Sequence, residues 1–155
     1  MNSKFAAVIE SLHPSLTRLL TMAPVGAARL LKRMPTSGVY LLSERGRHLY
    51  VGRSGRLRDR IQGHSRPGAT YRMAAFAFRL AREATGELQA TYKPQGSRRD
   101  LAARPRFKKA FDRAKARIRA MDVRFVSESN PIRQAVLEMY VAVAVGARYN
   151  DFDTH

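Results

Sequence analysis

The 155-residue chain contains no cysteine and no tryptophan, and only twelve of its residues are Asp or Glu. Without cysteine, neither a disulfide framework nor a thiolate zinc site can form, and a reducing compartment is favoured. No run of about 18 apolar residues occurs, so no membrane-spanning helix is expected. A signal peptide is not expected either, because Glu10 and His13 interrupt the N-terminal apolar segment. These absences predict a cytoplasmic protein without a membrane partner.

Positive charge is what the chain has in excess. Its 29 Lys and Arg residues give a formal charge of +17, while a hydrophobic fraction of 45% is typical of a folded domain. A folded domain this basic is expected to bind a polyanion, and arginine suits bidentate contact with phosphate. A solvated basic surface without a partner is the alternative. An anionic membrane is a weaker one, since no Lys-rich amphipathic helix carries Trp or Phe on its apolar face.

The hydrophobic pattern predicts a small α/β or α+β domain. SGVYLLSE and RHLYVG predict two strands joined by a tight turn, and DVRFVSE predicts a third. Helical spacing predicts a helix over residues 4–21, broken at Pro14. Further helices are predicted over residues 54–64, 70–84, 97–121 (interrupted at Pro105) and 131–146. The expected architecture is a central three-stranded sheet flanked by helices, with a helical extension at 1–35 and the main domain at 36–155.

Three features together could form a reaction site. Tyr40 and Tyr50 each stand beside glycine, in GVY and YVG, and in paired strands they could share one face. Arg60 and His64 lie at positions i and i+4 of the next predicted helix, so both would project from one side. Glu138 is the only charge in AVLEMYVAVAV, where a carboxylate is costly unless something pairs with it.

This combination of residue types suits a metal-assisted phosphodiesterase. The carboxylate would hold a divalent ion, and the arginine would stabilise charge on the phosphate. A phenol or an imidazole would position or deprotonate the attacking water. Because the pKa of tyrosine is normally near ~10, a role as base would require cationic neighbours such as Arg60 or the metal to lower it.

At these residues the sequence resembles the GIY-YIG nuclease family. The resemblance is carried by GVY at 38–40, YVG ten residues later at 50–52, and RSGRLRDRI with its Arg60. It covers about 115 residues, 37–151, and three later residues fall where the family places a histidine, a metal-binding glutamate and an asparagine: His64, Glu138 and Asn150. The paired motif in this order is far more specific than either tripeptide alone.

The resemblance implies an endonuclease that hydrolyses DNA phosphodiester bonds, with Mg²⁺ or Mn²⁺ held by Glu138. It also implies roles for the other five matched residues: Tyr40 would contact or deprotonate the nucleophilic water, Tyr50 would hold the nucleophile or the phosphate, Arg60 would bind the scissile phosphate, His64 would assist proton transfer or position Tyr40, and Asn150 would support the geometry of the site.

The long span between His64 and the third predicted strand departs from the family pattern. It predicts an insertion of two helices near residues 67–120, which could set target choice or partner contacts. Residues 97–121 carry ten Lys or Arg and two Asp, and we interpret this stretch as a face that contacts phosphates. The candidate phosphate-binding residues are Arg98, Arg99, Lys108 and Lys109 in this stretch, and Arg53 and Arg56 beside the YVG motif.

Each candidate also has a structural interpretation when it is taken alone. The tyrosines could be ordinary sheet aromatics, and the basic helices could be solvated. Glu138 could instead form a structural ion pair with a buried arginine such as Arg60. Asp151 and Asp153 are further candidate metal ligands, although acidic residues near a chain end are usually solvated.

Two other functions remain alternatives at this level. A non-catalytic nucleic-acid-binding module could retain the fold, and a basic RNA- or ribosome-associated protein would share the same charge. No feature of the sequence distinguishes DNA from RNA as the partner.

Overall fold

The computed structural model describes residues 1–88, 91 and 93–150. These residues form an α+β structure with six helices and four strands. In chain order the elements are α1 Ser3–Thr21, β1 Val25–Gly26, β2 Gly38–Glu44, β3 Arg47–Ser54, α2 Leu57–Gly63, α3 Ala75–Thr85, α4 Arg98–Ala103, α5 Pro105–Arg119, β4 Asp122–Ser127 and α6 Pro131–Val145. None of the helices in this part of the chain is long and apolar enough to cross a membrane.

The strands form one antiparallel sheet in the order β1-β4-β2-β3. The three predicted strands are confirmed as β2, β3 and β4, but the predicted strand count is wrong because β1 adds a fourth. Strand β1 pairs Val25 with Val123 and Gly26 with Asp122. Two residues are too few to produce the alternation of side chains by which a strand is recognised, so only the pairing with β4 defines it.

The described residues divide into two compact units. The first contains Met1–Ile61 and the residues from Met121 onward, and the second contains those between Gln62 and Ala120. In the first unit, α1 and α6 contribute to an apolar core on one face of the sheet. The core residues on the strands include Val39, Leu41 and Val51. Since side chains alternate along a strand, Tyr40 points to the opposite face.

The predicted N-terminal extension is helical, but its helix is not broken. Helix α1 runs without interruption through Pro14, so the predicted break is wrong. The missing N–H of Pro14 removes one backbone bond, and the burial of Leu12, Leu16 and Leu19 in the core compensates for that loss. Residues 1–35 therefore lie in the same compact unit as the sheet.

The second unit corresponds to the predicted insertion, and its described residues contain three helices instead of two. The basic stretch is divided at Arg104, where α4 ends and Pro105 starts α5, as the proline predicted. Aromatic packing joins α3 to α5, with the rings of Phe78 and Phe107 centred 4.9 Å apart. Helix α3 ends at Gly86, whose φ of 77° is the left-handed conformation expected of a glycine after a helix.

Candidate active site

The two motif tyrosines lie on the same face of the sheet, as the sequence predicted. Tyr40 on β2 is opposite Gly52 on β3, and Tyr50 is opposite Leu42. The two rings are therefore diagonal neighbours, with centroids 6.3 Å apart and planes inclined by 45°. Tyr40 is completely buried, whereas Tyr50 is partly exposed.

The glycines of both motifs are explained by close approach. A Cβ atom added to Gly52 would lie 2.2 Å from the hydroxyl oxygen of Tyr40, so the phenol occupies the space that a side chain would need. A Cβ added to Gly38 would lie 1.9 Å from the carbonyl oxygen of Val126 on the neighbouring strand. Glycine is thus required beneath the Tyr40 ring and where β2 meets β4.

Arg60 connects the two phenols from helix α2. Leu57 and Ile61 on the same helix are buried, as their spacing predicted. The half-buried Arg60 guanidinium hydrogen-bonds to the hydroxyl groups of both Tyr40 and Tyr50. A guanidinium has five N–H donors in a planar fork, a geometry that suits contact with several oxygen atoms.

Burial determines the protonation of the phenols. Desolvation raises the pKa of Tyr40 well above its ordinary value, and the positive charge of Arg60 only partly opposes this. Burial likewise raises the pKa of Tyr50, again against the opposing effect of Arg60. Both phenols are therefore neutral near pH 7. They are suited to positioning water or phosphate by hydrogen bonds, whereas the predicted role of Tyr40 as base would need a further cation.

Glu138 is ion-paired on α6, and its partner is Arg53, whereas the structural alternative considered from the sequence was a buried arginine such as Arg60. The Arg53 Nε donates to Glu138 Oε2 at 3.0 Å. Burial raises the pKa of Glu138 above its ordinary value, and the charges of Arg53 and Arg60 act against that rise. The charge of Glu138 in turn raises the pKa of both tyrosines. The structure thus places Glu138 within electrostatic range of Tyr40, Tyr50 and Arg60.

The helix around Glu138 is less buried than its composition suggests. Leu137 and Val141 are fully buried in the core, but Met139 and Val143 are 55% and 74% exposed. Helix α6 therefore lies at the surface of its unit with one face inward, although its apolar character continues around the helix. The side chain of Glu138 is partly exposed, between those two faces.

Asn150 supports the strand that carries Tyr50. Its Oδ1 accepts a hydrogen bond from the Val51 backbone N–H at 2.7 Å, and its Nδ2 donates to the Val51 carbonyl oxygen at 2.8 Å. Because β3 is an edge strand, these bonds satisfy backbone groups that no strand pairs. Asn150 thus fixes the residue between Tyr50 and Gly52, which makes it a positioning residue.

We expect Asn150→Ala to loosen this edge. Two buried backbone groups of Val51 would lose their hydrogen-bond partners. The cost is about 1–3 kcal/mol for each group if no water molecule replaces the lost partner. Amide hydrogen exchange at Val51, followed by NMR, should accelerate by roughly 10-fold or more. Asn130→Ala is the matched control, because the side chain of Asn130 likewise makes two hydrogen bonds to the backbone, both as acceptor, at the start of α6. Equal exchange at Val51 in all three proteins would contradict this role.

His64 lies in the second unit and is not on helix α2. The helix ends at Gly63, so His64 is the residue directly after it, four positions beyond Arg60. The His64 side chain is fully buried, and its ring meets that of Phe76 edge to face with centroids 6.4 Å apart. This packing identifies His64 as a core residue of its unit, and its proton-transfer role stays a prediction.

The candidate phosphate-binding residues have different surroundings. Lys108 pairs with Asp112 at 3.6 Å, and Arg56 pairs with Asp59 at the same distance. The Arg98 guanidinium lies 5.8 Å from the centre of the Phe78 ring. Arg99 and Lys109 are exposed, and Arg53 is the partner of Glu138. Asp151 and Asp153 lie outside the described residues.

The pairing of Arg53 with Glu138 is the relation that sequence reasoning missed. Arg53 directly follows YVG and was attributed to phosphate binding because of its charge. The two residues are 85 positions apart, and no local pattern links them. Comparison of the chain with family models, with curated proteins and with solved structures finds no match.

Proposed function

We propose that this protein is a divalent-metal-dependent endonuclease that hydrolyses phosphodiester bonds in DNA through a GIY-YIG type site. The observation that carries the proposal is the Arg60 guanidinium hydrogen-bonded to both motif phenols, within electrostatic range of Glu138. A cation held by two neutral hydroxyl groups is a suitable receptor for a phosphate, since its own charge stays uncompensated by them. The chain's charge of +17 favours a polyanionic substrate.

The donor atoms present fit a hard divalent ion such as Mg²⁺ or Mn²⁺. Glu138 Oε2 binds Arg53, whereas Oε1 makes no hydrogen bond with the described residues. The described residues contain no group of three His, Asp or Glu side chains that could hold a metal by themselves. Mg²⁺ commonly keeps several waters and uses substrate oxygens, so one carboxylate is sufficient. When bound, the ion would supply charge stabilisation at the phosphate.

The residues of the chain have separate tasks in this proposal. Arg60 would bind the scissile phosphate and stabilise the charge that develops on it as water attacks phosphorus. Tyr50, which is partly exposed, would hold the water or a phosphate oxygen by a hydrogen bond. The buried Tyr40 would fix Arg60 and Tyr50, because both contact its hydroxyl group. Asn150 and Gly52 would keep the strand and the phenol in place.

A plasmid-nicking assay tests the proposal directly. Supercoiled DNA is incubated with the protein in Mg²⁺, in Mn²⁺ or in EDTA, and conversion to the open-circular form is followed. We expect nicking with either metal and none with EDTA. Absence of nicking under every metal condition would refute the proposed activity.

Arg60→Gln is expected to lower the nicking rate by about 10²–10³-fold, the usual effect of removing one preorganised donor to a developing charge. The control is Arg58→Gln on the same helix, whose guanidinium donates to the carbonyl oxygens of Leu31 and Lys32. That variant removes an arginine with purely structural contacts and should nick DNA at nearly the normal rate. Comparable losses in both variants would assign Arg60 a structural role.

A non-catalytic nucleic-acid-binding module is the second candidate. Two observations favour it: Glu138 is already neutralised by Arg53, and Tyr40 has no exposed surface. This candidate predicts salt-sensitive binding to DNA or RNA without nicking. The same metal series, combined with a binding measurement, separates the two candidates.

A further inference from the structure

A groove lies between helices α3 and α5 in the second unit. Its volume is about 350 Å³. Small and apolar side chains from both helices form part of its lining, among them Leu80, Ala84, Ala110 and Ala114. Four cationic side chains of α5 complete it: Arg106, Lys109, Arg113 and Arg117.

The four cations form a line along one face of α5. Their spacings of three, four and four residues bring them to the same side of a helix. At about 1.5 Å rise per residue, the line is about 16 Å long. All four residues are exposed, whereas Phe107, Phe111 and Ile118 of the same helix are buried. Helix α5 thus buries its apolar face and presents these four cations to solvent.

Three of these cations have no acidic partner. No carboxylate in the described part of the chain pairs with Arg106, Lys109 or Arg113. Neighbouring cations are neutralised, since Arg104 pairs with Asp100 at 2.7 Å and Lys108 with Asp112 at 3.6 Å. Asp100 and Asp112 thus compensate the cations beside the groove and leave Arg106, Lys109 and Arg113 in its lining without a carboxylate partner among the described residues.

The second unit as a whole also carries most of the positive charge of the chain. Between Gln62 and Ala120 the sequence has fifteen Lys and Arg against four Asp and Glu, which gives +11 of the chain's +17. Such a unit repels itself unless an anion compensates it.

We propose that this groove binds the sugar-phosphate backbone of a nucleic-acid duplex. A line of cations about 16 Å long matches the regular row of charges on a polymer, whereas a small anion would require cations that converge on one point. The small, partly exposed residue Ala110 allows a backbone to approach closely between the cationic side chains. The inference deepens the proposed function, on which its choice of ligand class rests.

An anionic membrane surface is a poorer match. Binding to lipid by an amphipathic helix requires apolar or aromatic side chains that enter the interface. The aromatic residues of α5, Phe107 and Phe111, are turned into the core and are at most 7% exposed. The cationic face therefore offers charge without an anchor for lipid.

Paired double variants test the proposal. Lys109→Gln with Arg113→Gln removes two uncompensated cations from the groove, and Arg104→Gln with Lys108→Gln removes two compensated ones nearby. Binding of a short labelled DNA duplex is measured in EDTA between about 50 and 200 mM salt. The slope of log affinity against log salt should become shallower by about 1.8 for the groove variant, at about 0.9 per phosphate contact, and by less than half of that for the control. A duplex of RNA should respond in the same direction.

Equal slope changes in both double variants, or an unchanged slope in the groove variant, would overturn the inference. So would a groove variant that binds anionic lipid vesicles more weakly than the unmodified protein does but binds the DNA duplex normally. The charge-preserving swap Lys109→Arg with Arg113→Lys guards against misfolding and should keep the normal slope. The binding assay needs no cleavage, so its result is independent of the proposed activity. A protein that never nicks DNA but shows the predicted slopes would refute the activity and support the groove.

Discussion

Glu138→Gln should lower metal-dependent nicking by at least ~10²-fold and leave DNA binding in EDTA unchanged. The substitution keeps the shape of the side chain and removes its negative charge, so the loss would report on metal affinity and not on packing. Rates at saturating DNA, measured across a Mg²⁺ titration, check this expectation. Nicking that persists at the normal rate would exclude Glu138 as the metal ligand.

The same substitution should not weaken the fold. Burial raises the pKa of Glu138 in the folded protein, so the contribution of this group favours folding below its unfolded pKa and is lost as the pH rises through the folded pKa. At neutral pH the ionised carboxylate therefore costs folding free energy, which a neutral Gln avoids. We expect a melting temperature equal to or above that of the natural protein, measured by circular dichroism.

Glu128→Gln is the matched control for this experiment. Its Oε2 accepts a hydrogen bond from Arg133 Nε at 3.0 Å, the same geometry that joins Glu138 to Arg53. Both carboxylates belong to the first unit, but Glu128 contributes to none of the pKa shifts at the motif tyrosines. Normal nicking by Glu128→Gln beside inactive Glu138→Gln would assign the effect to the site and not to loss of an ion pair.

Gly52→Ala is expected to disturb both the fold and the site, because the new methyl group would overlap the Tyr40 ring. The new methyl group would lie 2.2 Å from the Tyr40 hydroxyl oxygen and 2.3 Å from its Cζ. Tyr40 is completely buried and hydrogen-bonded to Arg60, so the ring cannot swing aside without losing both its packing and that bond. Overpacking of this kind lowers the free energy of unfolding by about 1–3 kcal/mol.

Activity should fall with stability in this variant. Moving Tyr40 displaces Arg60 as well, and a shift of about 1 Å in a catalytic group can reduce a rate by ~10²-fold. The control is Gly55→Ala, three residues later, where an added Cβ meets no atom within 4 Å. Denaturant unfolding and nicking rates of the two variants should differ clearly. Equal stability and activity would mean that the Tyr40 ring does not occupy the space beside Gly52.

Much of the secondary structure follows from local pattern. Asn130-Pro131 predicts the start of α6, and Asn130 caps the helix by accepting backbone hydrogen bonds from Ile132 and Arg133. Gly146 predicts its end and caps it in the left-handed conformation. Alternation in two adjacent strands was enough to place Tyr40 and Tyr50 on one face, because a tight turn fixes the pairing. These features depend on residues that are close in sequence.

Errors arose where the deciding contact is distant in sequence. Strand β1 exists only through its pairing with β4. The helix through Pro14 survives because the core retains its leucines, although local propensity predicts a break. In each case tertiary packing outweighs a local preference of comparable or smaller free energy.

The sequence by itself determined the strong positive charge, most helices and three strands, and the order in which the motif tyrosines, Arg60 and Glu138 occur. Only the tertiary structure decided that Arg53 pairs with Glu138, that Tyr40 fills the space beside Gly52, and that burial keeps both phenols protonated. The reason is physical: charge and periodicity are properties of neighbouring residues, whereas desolvation and ion pairing depend on which distant residues the fold brings together.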